Sequence, residues 1–249
     1  MNVREVTDIA VKAGEILLTS GAEIYRVEDT INRICEAYNI KCESFVLPTG
    51  IFVSAYNSQG DTVSFVKRIR ERTINLEKIE LVNSFSRSLR NMNLDYKRAM
   101  KKLNDIEKTR GFSFPARLMA ASVTAFVFVL LFQGNISEGI AAALISAVIC
   151  ILKEKVLQVG IFPFLGFFIS GIIAGSMSLL FASFITNLNV YKIIIGSIII
   201  LLPGMAMTNG IKDALYGDIT SSLNRLSEGV FTVTAVGAGV ALVLFLFLR

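Results

Sequence analysis

Apolar residues recur at helical spacing from the start of the chain. Val3, Val6, Ile9, Ala10, Ala13, Ile16 and Leu17 mark one face of a helix over residues 3–18, and Ser20-Gly21 ends the pattern. A second helix is predicted from about Ala22 to Tyr38, with Ile24, Val27, Ile31, Ile34 and Cys35 on one face and Glu23, Arg26, Glu28, Asp29 and Arg33 on the other. From Lys41 the period changes. Phe45 to Leu47, Ile51 to Tyr56 and Thr62 to Val66 are short β-branched and aromatic runs separated by Pro48-Thr49-Gly50 and by Asn57 to Asp61, which reads as three antiparallel strands. Two helical patterns follow, about Leu76 to Arg90 and about Leu94 to Thr109. Past Gly111 the texture changes to uncharged runs bounded by charges: Leu118 to Ser137 (20 residues), Gly139 to Leu152 (14), Val156 to Tyr191 (36), Ile193 to Ile211 (19) and Gly229 to Leu248 (20). A helix needs roughly 20 residues to cross roughly 30 Å of hydrocarbon. Five spans are therefore expected, the second short, with Glu138, Lys153 and Lys155 near the interfaces, and the fourth interrupted.

Composition sharpens the division. The chain of 249 residues is 53% hydrophobic, and 18 of its 25 basic and 15 of its 20 acidic residues precede position 111. The expected fold is an α-helical polytopic membrane protein of about five transmembrane helices, the fourth broken at Pro203-Gly204, preceded by a small α+β cytoplasmic domain. The domains expected are 1–112 and 113–249. The N-terminus carries charges within its apolar pattern and does not read as a signal peptide.

Charge sets the expected orientation. Residues 97–117 hold seven basic residues, while the loops 133–138 and 186–190 hold none, so the first domain is expected in the cytoplasm and the C-terminus outside, with Lys192 and Arg249 the basic residues of the outer side. Basic residues of the first part are interleaved with acids rather than with aromatics, so no nucleic-acid partner is expected. The absence of histidine removes imidazole bases and ligands. Cys35, Cys42 and Cys150 have no CxxC spacing and are expected reduced, and no metal or cofactor site is expected. Small residues recur every fourth position at Ser170, Ala174, Ser178 and Ala182, with Gly171 and Gly175 beside them, and again at Gly229, Val233, Gly237 and Ala241. Both stripes are expected to serve helix packing.

The candidate chemistry lies around the interrupted run. Proline removes a backbone donor and glycine tolerates unusual backbone, so Pro203-Gly204 is a predicted break. Polar residues crowd just beyond it: Thr208, Asn209, Asp213, Asp218, Asn224, Arg225 and Glu228. An apolar half-helix followed by a polar re-entry has the form of the discontinuous helices on which transporters build binding sites. Thr208, Asn209 and freed backbone groups then bind a substrate's polar ends, Asp213 or Asp218 carries a coupling proton or pairs with an ammonium, and Arg225 attracts a carboxylate. The plainer reading is that both aspartates cap helices in a cytoplasmic loop.

Three stretches resemble the threonine/serine exporter family of bacterial inner-membrane proteins: GEILLTSGAEIYRVEDTINRI at 14–34, LPTGIFVS at 47–54 and LPGMAMTNGIKDALYGD at 202–218, continuing through 221–229. The chain is similar to the split form, in which a chain of about this size works with a second, shorter membrane subunit. The resemblance implies export of a small molecule, threonine or serine or in some split members a dicarboxylate, coupled to the proton gradient, from a multi-pass oligomer in contact with membrane lipid. It marks Ser20, Gly21, Arg26 and Glu28 in the first domain, and Pro203, Gly204, Asn209, Asp213, Gly217 and Asp218 around the break. Two other readings stand beside export. One is a membrane-anchored cytoplasmic enzyme or regulatory module with Arg26 and Glu28 beside the LPTG turn. The domain lacks histidine, a cysteine dyad at plausible spacing and a glycine-rich phosphate loop, so a non-enzymatic protein is expected. The other is a passive channel.

Overall fold

The computed structural model describes residues 1–90, 92, 94–155 and 163–247. The start of the third uncharged run at 156–162, the end of the fifth at Leu248, Arg249 and the Lys155 side chain lie outside the described residues. The chain forms two compact units, Met1–Gly111 with Met207–Leu226, and Phe112–Ala206 with the chain from Ser227 onward.

The N-terminal unit contains α1 (Val3–Thr19), α2 (Ile24–Ala37), β1 (Lys41–Leu47), β2 (Gly50–Tyr56), β3 (Thr62–Arg68), α3 (Leu76–Ser88) and α4 (Tyr96–Glu107). Helix α1 starts with a capping box: the Asn2 side chain accepts the Glu5 N–H at 2.8 Å and Glu5 accepts the Asn2 N–H at 3.1 Å. Its periodic face, Val6, Ile9, Ala10, Ala13, Ile16 and Leu17, is fully buried against α2, α3, α4, β2 and β3, which makes α1 the centre of this unit. The three strands pair antiparallel in the order β1-β2-β3, with Leu47 opposite Gly50 across the Pro48-Thr49 turn. Ile51, Val53 and Ala55 of β2 point into the core, while Phe45, Phe52 and Val66 stand on the exposed face.

The second unit contains α5 (Phe114–Leu131), α6 (Ile136–Lys155), α7 (Pro163–Phe184), α8 (Val190–Ile198) and a 3₁₀ turn at Ile199–Leu201. After Pro203 come α9 (Gly204–Leu215) and α10 (Ile219–Phe247). Among the described residues, four helices are long and apolar enough to cross a membrane: α5, α6 up to Glu154, α7 from Phe164, and α10. A fifth crossing is added if the bent pair Val190–Leu201 and Gly204–Leu215 counts as one span.

The second span is longer than its 14-residue uncharged run. Helix α6 has 20 residues because Glu138 is drawn into its first turn rather than left outside. Glu138 is buried; it accepts the Asn135 N–H at 2.8 Å and the Asn189 N–H at 2.7 Å, while Asn135 accepts the Glu138 N–H at 2.8 Å. At the other end Glu154 makes a two-pronged ion pair with Arg117, at 2.6 and 2.8 Å. A buried carboxylate filled with backbone N–H donors counts as helix terminus, although a run counted by charge stops at it.

Gly171 of α7 faces the α10 backbone: a Cβ there would lie 2.3 Å from the Val236 carbonyl oxygen, and one on Gly239 would lie 2.2 Å from that of Phe168. The stripe on the last span differs from the expected one. Gly237 has open space around it, and Gly239 makes the close approach. Gly196 of α8 is equally tight against Val129 and the Ala125 carbonyl of α5.

The fourth run breaks at the residue before proline. Leu202 is extended, at φ −66° and ψ 134°, as the ring of a following proline requires, and the helix axis turns by 58°. Gly204 has open space about its Cα, so the break belongs to Leu202-Pro203.

Candidate functional site

Helix α2 begins without a cap of its own. Its N-cap residue is Glu23, whose side chain makes no capping hydrogen bond, so the first amides of the helix need a partner from elsewhere. Asp213 of α9 supplies it: Oδ1 accepts the Ile24 N–H at 3.2 Å, placing a carboxylate at the positive end of the α2 dipole. The preceding turn is shaped by Gly21, at φ +87°, and its carbonyls are taken up by the same two helices. Asn209 of α9 donates to the Gly21 carbonyl at 3.0 Å, and Arg225 of α10 donates to the Ala22 carbonyl at 2.8 Å. Arg225 Nε also lies 3.0 Å from Asp213 Oδ2, a charge contact rather than an aligned hydrogen bond, with both side chains almost wholly buried. A buried pair of this kind is costly to break from one side.

Around this grip lies a shell of charge. Glu23 pairs with Arg26 at 3.2 Å and with Lys212 of α9 at 3.0 Å. Burial pushes the Glu23 carboxyl up, but its own backbone N–H, Lys212 and Arg26 together outweigh that and hold it below the ordinary glutamate range. Glu28, one turn further along α2, accepts the Val46 N–H at 3.0 Å and so ties the helix to β1 beside the LPTG turn. Burial raises the Glu28 carboxyl, the Val46 N–H partly offsets this, and the nearby Asp218 charge adds to it. The Tyr25 and Tyr216 rings stack with centroids 4.0 Å apart.

The sequence candidates thus fall into two groups. Gly21, Arg26, Glu28, Asn209, Asp213, Asp218 and Arg225 gather in the N-terminal unit around the start of α2. Ser20 is buried in the same turn, where its carbonyl accepts the Asn75 N–H at 3.1 Å. Asp218 caps α10, its side chain accepting the Ser221 N–H at 3.1 Å. Thr208 is exposed on α9, Glu228 is exposed on α10, and Pro203-Gly204 sits at the helix break. Sequence reasoning missed Lys212, Glu23, the two turn carbonyls and the tyrosine stack. The available signal was the absence of Ser, Thr, Asp or Asn just before α2.

A family model described as “Putative threonine/serine exporter” matches residues 8–247. The chain is 21% identical over 244 residues to the “Probable threonine/serine exporter” of Mycobacterium tuberculosis, across 96% of this chain and 46% of that protein, so it spans about half of that relative's length. It is 23% identical over 244 residues to the “Probable succinate transporter subunit YjjP” of Escherichia coli, across 97% of this chain and 94% of that one. A protein of the same description from Klebsiella aerogenes is 22% identical over 242 residues. No solved structure matches the chain. With the family match running through the α1–α2 turn, the strands, the broken helix and the last span, this chain belongs to the threonine/serine exporter family.

Proposed function

We propose that this chain is the larger subunit of an inner-membrane exporter of threonine or serine, working with a second, short membrane subunit and coupled to the proton gradient. The observation that carries the reading is the broken helix. Helix α8 ends in a 3₁₀ turn at Ile199–Leu201 ahead of the Leu202-Pro203 break, and the polar chain beyond it grips the α1–α2 turn through Asn209 and Asp213 of α9 and Arg225 of α10. Apolar half-helices with polar continuations are where transporters hold small charged substrates. In this reading the N-terminal unit is cytoplasmic and acts as a gate: export requires Asp213 to leave the α2 amide and Arg225 as the substrate passes, and a proton on the Asp213 carboxylate weakens both contacts.

A dicarboxylate such as succinate is the second reading. The two relatives whose length this chain matches, at 94% and 93% coverage, both carry a succinate transporter description.

Efflux of preloaded threonine, serine and succinate from cells expressing the chain alone, and together with a short membrane subunit of the same family, tests both. Export of one substrate class only when both chains are present, abolished by a protonophore, is the expected result. Asp213→Asn and Asn209→Ala are expected to lower it tenfold or more without loss of membrane insertion. No efflux in either arrangement, with both chains inserted, overturns the proposal.

A further inference from the structure

A second polar cleft lies wholly within the N-terminal unit, between α2 and the C-terminal end of α3. It holds about 330 Å³, open to solvent, and is lined by Asp29, Asn32, Arg33 and Glu36 of α2, with Arg87 of α3 and Arg90 just beyond it; Asp29, Glu36, Arg87 and Arg90 are exposed. The volume is at the small end of ligand pockets and suits a metabolite of a few heavy atoms. The four α2 residues follow the i, i+3, i+4, i+7 spacing that puts them on one stripe.

Taken element by element, these charges look ordinary. Asp29 and Arg33 form an i, i+4 ion pair, and Arg87 is a basic residue in the last turn of α3, where the helix dipole favours it. What neither accounts for is the arrangement across the cleft. Acidic Asp29 and Glu36 face Arg87 and Arg90, yet among the described residues neither arginine forms an ion pair. Opposite charges facing one another across an unfilled polar space match a ligand that carries both signs. The Asn32 oxygen is already engaged by Cys42 at 3.2 Å and Ser44 at 3.4 Å, which leaves its NH₂ as a further donor.

We infer that this cleft binds a small zwitterionic α-amino acid, its carboxylate on Arg87 and Arg90 and its ammonium on Asp29 and Glu36. A dicarboxylate or phosphate would satisfy the arginines but leave Glu36 unanswered, since Asp29 on the same stripe already has Arg33 as its partner. The site is distinct from the grip on the α1–α2 turn, although α2 runs from one to the other, and it goes beyond the transport reading because binding here does not require that the chain export anything.

Calorimetric titration of the purified full-length chain in detergent tests the site, with L-threonine, L-serine, succinate and inorganic phosphate as separate probes. The expected result is saturable binding of an amino acid that Arg87→Ala with Arg90→Ala weakens tenfold or more and that Asp29→Asn with Glu36→Gln also weakens. Independently of any variant, the amino acid is expected to slow amide exchange over residues 32–37. Two outcomes overturn the inference: no such protection together with amino-acid binding that is absent or indifferent to Arg87 and Arg90, or succinate or phosphate binding more tightly than the amino acids and tighter still in the Asp29→Asn, Glu36→Gln variant. Efflux measured on the same variants separates this result from the transport reading, since binding without efflux leaves the cleft standing and efflux without binding removes it.

Discussion

Gly21 occupies a left-handed backbone position at φ +87°, and a Cβ added there would sit 3.0 Å from the Thr73 carbonyl oxygen. Both effects oppose any side chain, so Gly21→Ala is expected to cost about 1–2 kcal/mol, read as a lowered midpoint in thermal unfolding. An unchanged midpoint would mean that the turn relaxes freely. Glu23 gives a pH-dependent case. Its carboxyl is held below its ordinary value in the folded chain, so its contribution is present above the unfolded value and is lost as pH falls through the folded one. Glu23→Gln is therefore expected to destabilise by about 1 kcal/mol at pH 7, with a difference from the wild type that shrinks below about pH 4. Glu28 has the opposite sign: its raised value favours the protonated fold, and that contribution fades as pH rises through it.

At the scale of elements, helix contacts in the second unit depend on which glycine faces a backbone. Gly171 and Gly239 leave no room for a Cβ, while Gly237 has open space. Gly171→Val is expected to force α7 and α10 apart and abolish recovery of folded protein, whereas Gly237→Ala is expected to leave yield and thermal stability unchanged. Equal effects from the two would contradict the crossing. The small-residue stripes were visible at the level of spacing, but GxxxG periodicity does not say which of two glycines two residues apart meets the neighbour. Helix axes settle that, and their crossing depends on every side chain between them. The break at Leu202-Pro203, by contrast, was legible because proline acts on its own chain neighbours.

For the molecule as a whole, sidedness follows from counting crossings. Residues 207–226 belong to the same compact unit as residues 1–111, and in the proposed arrangement both would lie on one side of the membrane. Helices α5, α6 and α7 are each long and apolar enough to cross, and three crossings would leave Asn187 on the far side. The return would then fall to α8 and its 3₁₀ turn, 9 and 3 residues that rise only about 20 Å. A crossing that short would call for a membrane thinned locally. Cysteine labelling in a background lacking Cys35, Cys42 and Cys150 is expected to place Gln133 and Asn187 on one side and Lys153 and Tyr216 on the other. Labelling of Asn187 and Tyr216 from the same side would make the fourth run a re-entrant loop.

The sequence alone determined the class of protein, the helices and strands of the N-terminal unit, the number of apolar runs and the place of the break, because periodicity, length and proline geometry act over a few residues. It also pointed to Asn209, Asp213 and Arg225 as residues of interest. Only the tertiary structure decided what they hold. The hydrogen bonds from Asn209 to Gly21 and from Arg225 to Ala22 join residues 188 and 203 positions apart. That Asp213 caps a helix lacking a cap of its own, and that α2 faces Arg87 of α3 and Arg90 beyond it across a polar cleft, arises where distant segments meet in three dimensions, and no local pattern encodes that meeting.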